Sequence, residues 1–275
     1  MKGSTRVWFV VIVSLLESTV VSINAIPDRK NVSTLYRGKY IGNLISSESL
    51  YSTYKEVQKD YLQKNESKDW KIVRSKDRVE ISILKSIDDP YCPFIRMRAV
   101  MPATPKTLSL FMGFQNWGTF MRLINPFYDG ITILREYSYG DARMTMVRKK
   151  STRILGFGRR DFGLVSVLDT PRSDGVCMSG TFSIISAGLI PHQPGFTRAF
   201  QDSICVYKPM PNDETEMTII LRTDLNDSTD GGSGGFVPMW AVVKTIGTAG
   251  YQAIKGLRNH VQYIPEEQDA NVYHQ

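Results

Sequence analysis

Residues 237–261, VPMWAVVKTIGTAGYQAIKGLRNHV, form the stretch that decides the fold. Apolar residues recur there at intervals of mostly three or four positions, which is the period of one face of an α-helix. The residues in this pattern are Pro238, Trp240, Val243, Ile246, Ala249, Ile254, Leu257 and Val261. The pattern predicts a helix of roughly 24 residues, about 36 Å long at the helical rise of 1.5 Å per residue. Because one side of it is apolar, this helix must be buried against another layer of the protein.

The segments between residues 70 and 223 alternate apolar and polar side chains, which is typical of β-strands with one buried face. Trp70–Arg74 and Arg78–Lys85 predict a hairpin, because only a short polar segment joins them. Phe94–Val100 predicts a third strand. Six further strands are predicted at 131–137, 143–148, 160–168, 176–185, 197–207 and 215–223.

Before the first strand, the apolar residues have a helical period. A helix is predicted from about Asn43, and short helices are predicted at 105–112 and 115–123. The buried stripe of the first helix is expected to consist of Leu50, Tyr54, Val57 and Tyr61. The order of all these elements predicts an α+β fold, in which one curved antiparallel sheet of about nine strands is closed by the long C-terminal helix.

The first 25 residues have the pattern of a secretory signal peptide. Lys2 and Arg6 precede an apolar run at 7–16, and the small residues Ser22 and Ala25 follow it. The run is shorter than the roughly 18 to 20 apolar residues that a membrane span needs, so an uncleaved anchor is the less favoured alternative. We therefore expect a protein that enters the secretory pathway and is exported in soluble form after cleavage.

The rest of the chain contains no internal repeat and no linker that would divide it. We expect a loose polar segment at 26–42, one domain at 43–264 and a flexible tail at 265–275.

A secretory route changes the interpretation of two residue types. Three sequons become candidate glycosylation sites, at Asn31, Asn65 and Asn226. Cys177 and Cys205 lie on predicted strands that could be neighbours, so one alternative is a disulfide between them. The other alternative is that these two residues and Cys92 are buried thiols.

The charge of the chain suits an acidic partner. There are 34 Lys and Arg against 27 Asp and Glu, which gives a formal net charge of +7. Two short basic clusters, at 148–153 and 159–160, suggest transient contact with an anionic membrane surface, although solvated strand ends would have the same composition. No nucleic-acid-binding module accompanies them, so no nucleic acid partner is expected.

Motifs for catalysis and metal binding are absent from the sequence. It contains neither C-x-x-C nor H-E-x-x-H, and none of its 3 histidines accompanies a nucleophile motif. Gly156–Gly158 lacks the Lys-Ser/Thr ending of a phosphate loop. We therefore expect a protein that is not an enzyme and that uses no metal and no cofactor.

A curved sheet closed by a long helix can enclose a cavity. Candidate lining residues come in pairs on three predicted strands: Met144 and Met146, Phe162 and Leu164, Phe182 and Ile184. Methionine suits irregular apolar ligands because it is unbranched and polarizable. The alternative is that these six residues form an ordinary core.

Six local sequences occur in a characteristic order between residues 69 and 261. They are Trp70–Val73 with Lys76–Val79, Pro102–Pro105, Arg160–Phe162, Pro194–Ala199, Thr215–Asp224 and Phe236–Trp240. In this order they resemble the START domain, the helix-grip lipid-binding module, whose strands carry similar Arg-Asp-Phe and Pro-Gly-Tyr-Val-Arg-Ala sequences. With its signal peptide, the chain is similar to the exported START phospholipid-transfer proteins of apicomplexan parasites.

The resemblance implies a monomeric carrier that binds one phospholipid-like molecule in an internal cavity and moves it between membranes. It implies that the C-terminal helix is a lid, with a hinge at Gly231, Gly232, Gly234 and Gly235. The residues expected to contact the lipid are Arg122, Asn125, Met144, Met146, Arg160, Phe162, Phe182, Ile184, Trp240, Val243 and Ile246. Arg122 or Arg160 would meet a phosphate.

One departure from the family leaves the lipid class open. The family usually carries Trp-Asp/Asn-Pro, with an arginine about four residues before the tryptophan. Here Ile124 precedes Asn125 and Pro126, and Phe120 occupies the arginine position. Two other functions also remain open: an enzyme of the hydrolase or cyclase type, which needs an acid–base pair in the cavity, and a secreted interaction protein with a closed cavity.

Overall fold

The computed structural model describes residues 39–40, 46–86, 92–112, 128–152, 159–185, 188–191, 193–224 and 239–261. For residues 39–40 and 239–246 it describes the backbone alone.

Ten strands and three helices lie within these ranges. The strands are β1 (Lys39–Tyr40), β2 (Lys71–Lys76), β3 (Val79–Leu84), β4 (Phe94–Met101), β5 (Tyr128–Tyr139), β6 (Ala142–Ser151), β7 (Arg160–Leu168), β8 (Cys177–Ile185), β9 (Thr197–Pro209) and β10 (Thr215–Asp224). The helices are α1 (Ser47–Asn65), α2 (Pro105–Phe111) and α3 (Met239–Val261). Every strand expected from the sequence is confirmed, with ends that differ by at most three residues. The short helix expected at 115–123 lies outside the described residues.

The strands form one sheet in the order β2-β3-β4-β10-β9-β8-β7-β6-β5, and neighbours along this path are antiparallel. The predicted α+β fold with nine antiparallel strands and a C-terminal helix is therefore confirmed. Two short parallel pairings are added: β1 pairs with β8, and the start of β7 pairs with the start of β9.

The helix α1 begins where a serine caps it. The Ser46 side chain accepts a hydrogen bond from the Ser49 backbone N–H at 3.1 Å, which satisfies one of the free N–H groups of the first turn. The helix therefore starts at Ser47 and not near Asn43. Its buried residues include the predicted stripe of Leu50, Tyr54, Val57 and Tyr61.

The two long helices, α1 and α3, lie on opposite faces of the sheet, and each packs against one set of the alternating side chains of the strands. On the first side, which we call the α1 face, residues such as Met146, Phe182 and Ile204 pack against α1. On the second side, the α3 face, residues such as Ile81, Ala99 and Ile219 pack against α3. These two layers of contacts are separate hydrophobic clusters.

The helix α3 is 23 residues long, close to the length expected from its sequence. Its buried residues include Ile254, Leu257 and Val261, as predicted, but Ala249 is exposed. Gly250 faces the sheet instead, and a Cβ atom at this position would lie 3.0 Å from Ile81 Cδ1 and 3.1 Å from Met97 Sδ. Glycine therefore allows the helix to approach the sheet more closely than alanine would.

The C-terminal part of α3 is fixed to the turn between β2 and β3. Asp77 and Arg78 form this two-residue turn with φ values of 52° and 58°, the left-handed conformation that a tight hairpin requires. The Tyr251 hydroxyl donates a hydrogen bond to the Asp77 carboxylate, and Arg258 Nη1 donates one to the Asp77 carbonyl at 2.9 Å. Asp77 thus connects α3 to the edge of the sheet.

Cys92, Cys177 and Cys205 are buried thiols that are not joined in a disulfide. Cys177 is paired with Tyr207 and Cys205 with Ser179, so the two cysteines are not directly opposite each other across β8 and β9. Burial raises the pKa of Cys205 to about 11, which keeps this thiol protonated at neutral pH. The sequence left open either a disulfide between Cys177 and Cys205 or buried thiols, and the structure has buried thiols.

Within the described part of the chain, no helix is both long and apolar enough to cross a bilayer. The predicted signal peptide at 1–25 lies outside that part.

Candidate functional site

The α3 face consists of two halves of different chemistry. The first half, formed by β2, β3, β4 and β10, is apolar and lies under α3. Its buried members include Val79, Ile81, Ile83, Ile95, Ala99, Met101, Met217 and Ile219, and α3 adds Tyr251, Ile254, Leu257 and Val261. We call this the apolar half. It presents a continuous aliphatic surface, which suits hydrocarbon.

The second half carries a row of hydroxyl groups across four neighbouring strands. The pairing registers place Thr145 beside Ser166, Ser166 beside Thr181, and Thr181 beside Ser203. Thr181 and Ser203 are almost completely buried, and their side-chain oxygens are hydrogen-bonded to each other at 2.7 Å. We call these four residues the hydroxyl row. It gives a β-sheet interior the polar character that a purely structural core avoids.

A buried lysine lies on β6, four residues after Thr145 of the hydroxyl row. Lys149 on β6 is 7% exposed, and its Nζ donates a hydrogen bond to Gln201 Oε1 at 2.9 Å. The same Nζ lies 4.8 Å from the centre of the Phe162 ring, which is a favourable cation–π distance. Burial lowers the pKa of Lys149 to about 8, because the charged form loses its hydration.

Arg160 lies on the same face as Lys149, at the start of the neighbouring strand, and is fully buried. The next residue, Asp161, points to the opposite face and accepts hydrogen bonds from Arg198 Nε at 3.1 Å and from Arg198 Nη2 at 2.8 Å. Asp161 and Arg198 belong to two of the local sequences singled out above, and the parallel pairing of β7 and β9 brings them together. This ion pair holds β7 and β9 in register beside Arg160.

The predicted lining residues do not share one face. Phe162 and Leu164 lie on the α3 face, in a cluster with Val147 and Ala199. Met144, Met146, Phe182 and Ile184 lie on the α1 face and belong to the cluster that includes Leu50, Tyr54 and Val57 of α1. The expectation that all six line one interior is therefore wrong. The physical reason is that α1 also needs an apolar surface, and the sequence does not indicate which helix covers which side of the strands.

Several predicted site residues cannot be placed. Trp240, Val243 and Ile246 lie within the backbone of α3, but their side chains are outside those described. The other candidates outside the described residues are Arg122, Asn125, Gly231, Gly232, Gly234 and Gly235, together with the sequons at Asn31 and Asn226.

The sequon at Asn65 occupies the last position of α1. The Asn65 backbone carbonyl accepts a hydrogen bond from Arg96 Nη1 at 3.1 Å, and its side-chain Oδ1 accepts one from Arg98 Nη2 at 3.3 Å. This asparagine therefore connects the end of α1 to strand β4. Glycosylation there stays a prediction.

The two basic clusters are split by the strands that carry them. Arg148 and Lys150 point away from Lys149, and Arg148 Nη2 donates a hydrogen bond to the Pro191 carbonyl at 3.0 Å. The Arg159 guanidinium lies 4.5 Å from the centre of the Phe196 ring and pairs with Asp129 at 2.9 Å. The clusters thus supply two buried cations on the α3 face, Lys149 and Arg160, while Arg148 and Lys150 are half-buried and Arg159 is exposed.

The described residues contain no group of three or more His, Cys, Asp or Glu side chains that could hold a metal ion.

No protein-family model and no curated protein matches the sequence. Solved structures do match the fold. Human StAR-related lipid transfer protein 5 is 19% identical over 79% of this chain and 98% of its own, with a TM-score of 0.64. The lipid transfer and protein localization domain of human StarD13 (DLC2) is 16% identical, with a TM-score of 0.57 over 81% of this chain and all of its own. Human STARD10 is 14% identical over 85% of this chain and 86% of its own, also with a TM-score of 0.57. This protein has the helix-grip fold of the StAR-related lipid transfer domains.

Proposed function

We propose that this protein is a lipid carrier, which binds one phospholipid-like molecule between α3 and the sheet and moves it between membranes. The observation that carries the proposal is the division of the α3 face into an apolar half and a half with hydroxyl groups and a buried lysine. A ligand with a hydrocarbon part and a polar part fits this division. The names of two proteins with the same fold, StAR-related lipid transfer protein 5 and the StarD13 domain, also include lipid transfer.

Hydrocarbon burial supplies the driving force of such a carrier. Each methylene group withdrawn from water contributes about 0.8 kcal/mol, so two long acyl chains are strongly favoured inside the protein over bulk water. Binding and release require α3 to move away from the sheet. The described interactions that must then break include the close contact at Gly250, the hydrogen bonds to Asp77, and the packing of Ile254 and Leu257 on the sheet.

The finer parts of the proposal follow from the sequence. We propose that the domain at 43–264 acts as a monomer after export, that it touches membranes transiently, and that Arg122 or Arg160 faces the phosphate of the lipid. The signal-peptide pattern supports export, and the exposed cations around Arg159 support contact with an acidic surface.

The test begins with the lipid that the protein carries. Protein purified without detergent is extracted with organic solvent, and the extract is analysed by mass spectrometry. The same protein is then added to donor vesicles with a fluorescent phospholipid and to acceptor vesicles without it. We expect about one lipid molecule per protein and a transfer rate that grows with protein concentration. Absence of both would refute the proposal, and chemical conversion of the lipid would indicate an enzyme.

A matched pair of variants identifies the site. Ser166 is on the α3 face in the hydroxyl row, and Ser52 is exposed on the outer side of α1. Ser166→Trp should fill the space proposed for the lipid and abolish transfer, while Ser52→Trp should transfer at the wild-type rate. Circular dichroism confirms that both variants are folded. Equal rates for the two variants would place the lipid elsewhere.

A further inference from the structure

Three cations lie along strand β2, at one edge of the sheet. β2 has the sequence Lys-Ile-Val-Arg-Ser-Lys and is the last strand in the sheet order, so within the described residues it pairs with β3 alone. Its cations are Lys71, Arg74 and Lys76. Their partners on β3 are members of the cluster under α3, namely Ile83, Ile81 and Val79. All three cations of β2 therefore lie on the α3 face.

A β-bulge produces this arrangement. Strict alternation would turn Lys71 to one face and both Arg74 and Lys76 to the other, because an odd number of positions separates them from Lys71. The register shifts between Ile72 and Arg74, so Val73 is an additional residue that returns the three cations to a common side. The bulge thus concentrates positive charge on the side of the edge strand that faces α3.

The C-terminal half of α3 adds two cations beside β2. Lys255 is exposed, and Arg258 Nη1 donates a hydrogen bond to the Asp77 carbonyl at 2.9 Å. The hydrogen bond from Tyr251 lowers the pKa of the Asp77 carboxyl, and the nearby charges of Lys76, Lys255 and Arg258 lower it further. The strand and the helix therefore share one positive surface. We call it the basic edge, and it consists of Lys71, Arg74, Lys76, Lys255 and Arg258.

The carboxylates near the basic edge do not neutralise it. The ion pairs of the described residues include none of its lysines, which are Lys71, Lys76 and Lys255. Glu214, which lies near Arg258, is held by Arg78 through two hydrogen bonds of 2.9 and 3.0 Å. The exposed Arg159 is different, since it pairs with Asp129 at 2.9 Å. Positive charge therefore remains in excess at the basic edge.

An exposed apolar side chain accompanies these cations. Ile72 directly follows Lys71 and is 55% exposed. An isoleucine between cations suits the boundary of head groups and acyl chains in a bilayer, where the apolar side chain leaves water and the cations reach phosphates. Lysines on an edge strand also prevent pairing with another sheet. That role alone would require neither the exposed Ile72 nor the cations of α3.

Building on the proposed function, we infer that the basic edge docks the protein on the surface of a bilayer that contains anionic lipids. Docking there would act on α3 as well, because members of the basic edge hold this helix. The Arg74 guanidinium lies 4.5 Å from the centre of the Tyr251 ring, and Arg258 binds the turn at Asp77. Lipid phosphates compete for these cations, so docking should loosen α3 at the place where the lipid has to enter.

The first test measures binding of the full chain to vesicles by flotation. Vesicles of phosphatidylcholine with phosphatidylserine are compared with vesicles of pure phosphatidylcholine, at low and at high salt. We expect binding to the anionic vesicles that salt weakens. Lys71→Ser combined with Lys76→Ser should weaken this binding about thirty-fold, since each cation near an anionic surface contributes about five-fold.

A matched control removes two lysines from the other side of the sheet. Lys59 on α1 and Lys208 at the end of β9 are both exposed, and Lys59→Ser combined with Lys208→Ser should bind nearly as well as the wild type. Lys255→Ser, on α3 and away from the strand edge, should weaken binding about five-fold. It provides a second test if the β2 variant aggregates through its edge. If the control weakens binding as much as the β2 variant does, only the net charge matters and the basic edge is refuted.

Two other outcomes would assign the contact elsewhere. A larger loss for Lys150→Ser combined with Arg159→Ser than for the β2 variant would place docking at the start of β7. The acidic segment 266–269, which follows α3 in the chain, is the other candidate partner of the basic edge. If the wild type ignores anionic vesicles but Glu266→Gln with Glu267→Gln and Asp269→Asn binds them, this segment occupies the basic edge and the inference is overturned.

Lipid content and transfer separate the docking surface from the carrier function. The β2 variant should carry as much lipid per protein as the wild type and transfer it more slowly from anionic vesicles. If it keeps the wild-type binding and transfer rate, the docking surface is refuted and the carrier function stands. If the wild-type protein carries and transfers no lipid, the carrier function is refuted whatever the vesicle binding shows.

Discussion

The two faces of the sheet use the same strands for different purposes. On the α1 face, β6, β7 and β8 contribute Met146, Val165 and Phe182, all essentially buried, to a continuous apolar layer under α1. On the α3 face, the same three strands contribute Thr145, Ser166 and Thr181. The more apolar face is thus the one that closes the core, and the face with polar groups is the one proposed for the ligand. An apolar pattern alone identifies a buried surface, but it does not indicate whether a helix or a lipid covers it.

The largest expected effect is on the α1 face. Phe182→Ala should lower the free energy of unfolding by about 3 to 5 kcal/mol, because it removes a fully buried ring from a packed layer. Urea denaturation measures this loss. The rate of vesicle transfer by the folded protein should stay near the wild-type value, since Phe182 lies on the α1 face.

The matched variant on the other face is Phe162→Ala. It also removes a buried ring, but this ring lies on the α3 face proposed for the lipid, so the rate of vesicle transfer should change as well. If Phe182→Ala changed the transfer rate and Phe162→Ala did not, the assignment of the two faces would be reversed.

The second effect is a dependence of the free energy of unfolding on pH, which comes from the titration of Lys149. Its pKa is about 8 in the folded protein and near the ordinary lysine value of about 10.4 in the unfolded chain. Between these values the unfolded state binds more protons, so stability should rise with pH through this window, by up to about 3 kcal/mol. Below about pH 8 the buried Lys149 is charged, and its burial lowers the free energy of unfolding by the full amount. Urea denaturation from pH 7 to pH 10.5 should show this rise, relative to Lys149→Met, in lipid-free protein. Parallel curves for the two proteins would contradict a buried ammonium.

The third effect tests how closely α1 approaches the sheet. A Cβ atom at Gly180 would lie 2.7 Å from the Ser203 carbonyl oxygen and 2.9 Å from Tyr54 Cε2. Gly180→Ala should therefore cost about 1 to 3 kcal/mol, since the backbone of β9 cannot move aside. Gly130→Ala on β5 is the control, because a Cβ atom there has no neighbour within 4 Å. Equal stability of the two variants would mean that both β9 and the Tyr54 ring can move aside at Gly180.

Most of the fold could be predicted because it depends on local patterns. The stripe from Leu50 to Tyr61 and the alternation in Arg160–Leu168 each involve one segment, and both helices and strands were found within a few residues. The phase of α3 was less accurate. Gly247 and Gly250 face the sheet, whereas the apolar pattern of the sequence includes Ala249, which is exposed.

The site was harder to predict because it depends on which face each helix covers. Arg160 and Phe162 were found on the α3 face, but Met144, Met146, Phe182 and Ile184 were assigned to the wrong side. The sequence pattern places Lys149 in a basic cluster that contacts a membrane surface or forms a solvated strand end, and both require an exposed side chain, whereas Lys149 is buried. The available signal was the alternation itself: the residue between Arg148 and Lys150 must point to the opposite side of the strand.

The fourth effect concerns the polar anchor of α1. Lys55 Nζ pairs with Asp169 Oδ2 at 2.6 Å, and the Tyr51 hydroxyl donates to Asp169 Oδ1 at 2.7 Å. Burial alone would raise the pKa of Asp169, but the hydrogen bonds from Lys55 and Tyr51 outweigh it and lower the pKa. The stabilisation is present above the ordinary aspartate pKa of about 3.9 and is lost as the pH falls through the lower folded value.

Asp169→Asn should therefore cost about 1 kcal/mol at pH 7, a modest value because Lys55 is partly exposed. The difference from the wild-type protein should shrink on acidification to pH 3, which urea denaturation at both values measures. A constant difference would mean that the carboxylate charge contributes nothing to the docking of α1.

The smallest effect on stability belongs to the anchor of α3, and it should have the clearest consequence for transfer. The α1 anchor is the partly buried ion pair of Lys55 and Asp169, on a helix that the proposed function does not require to move. The α3 anchor consists of the hydrogen bonds from the Tyr251 hydroxyl and Arg258 to Asp77. Tyr251→Phe removes one hydrogen bond and keeps the ring, so the Tm should fall by only about 2 °C. If α3 must leave the sheet for lipid to enter, the same change should accelerate vesicle transfer. Tyr139→Phe, at an exposed tyrosine at the end of β5, should leave the rate unchanged. A slower or unchanged rate for Tyr251→Phe would show that α3 stays in place during transfer, and lipid would then have to enter by another route.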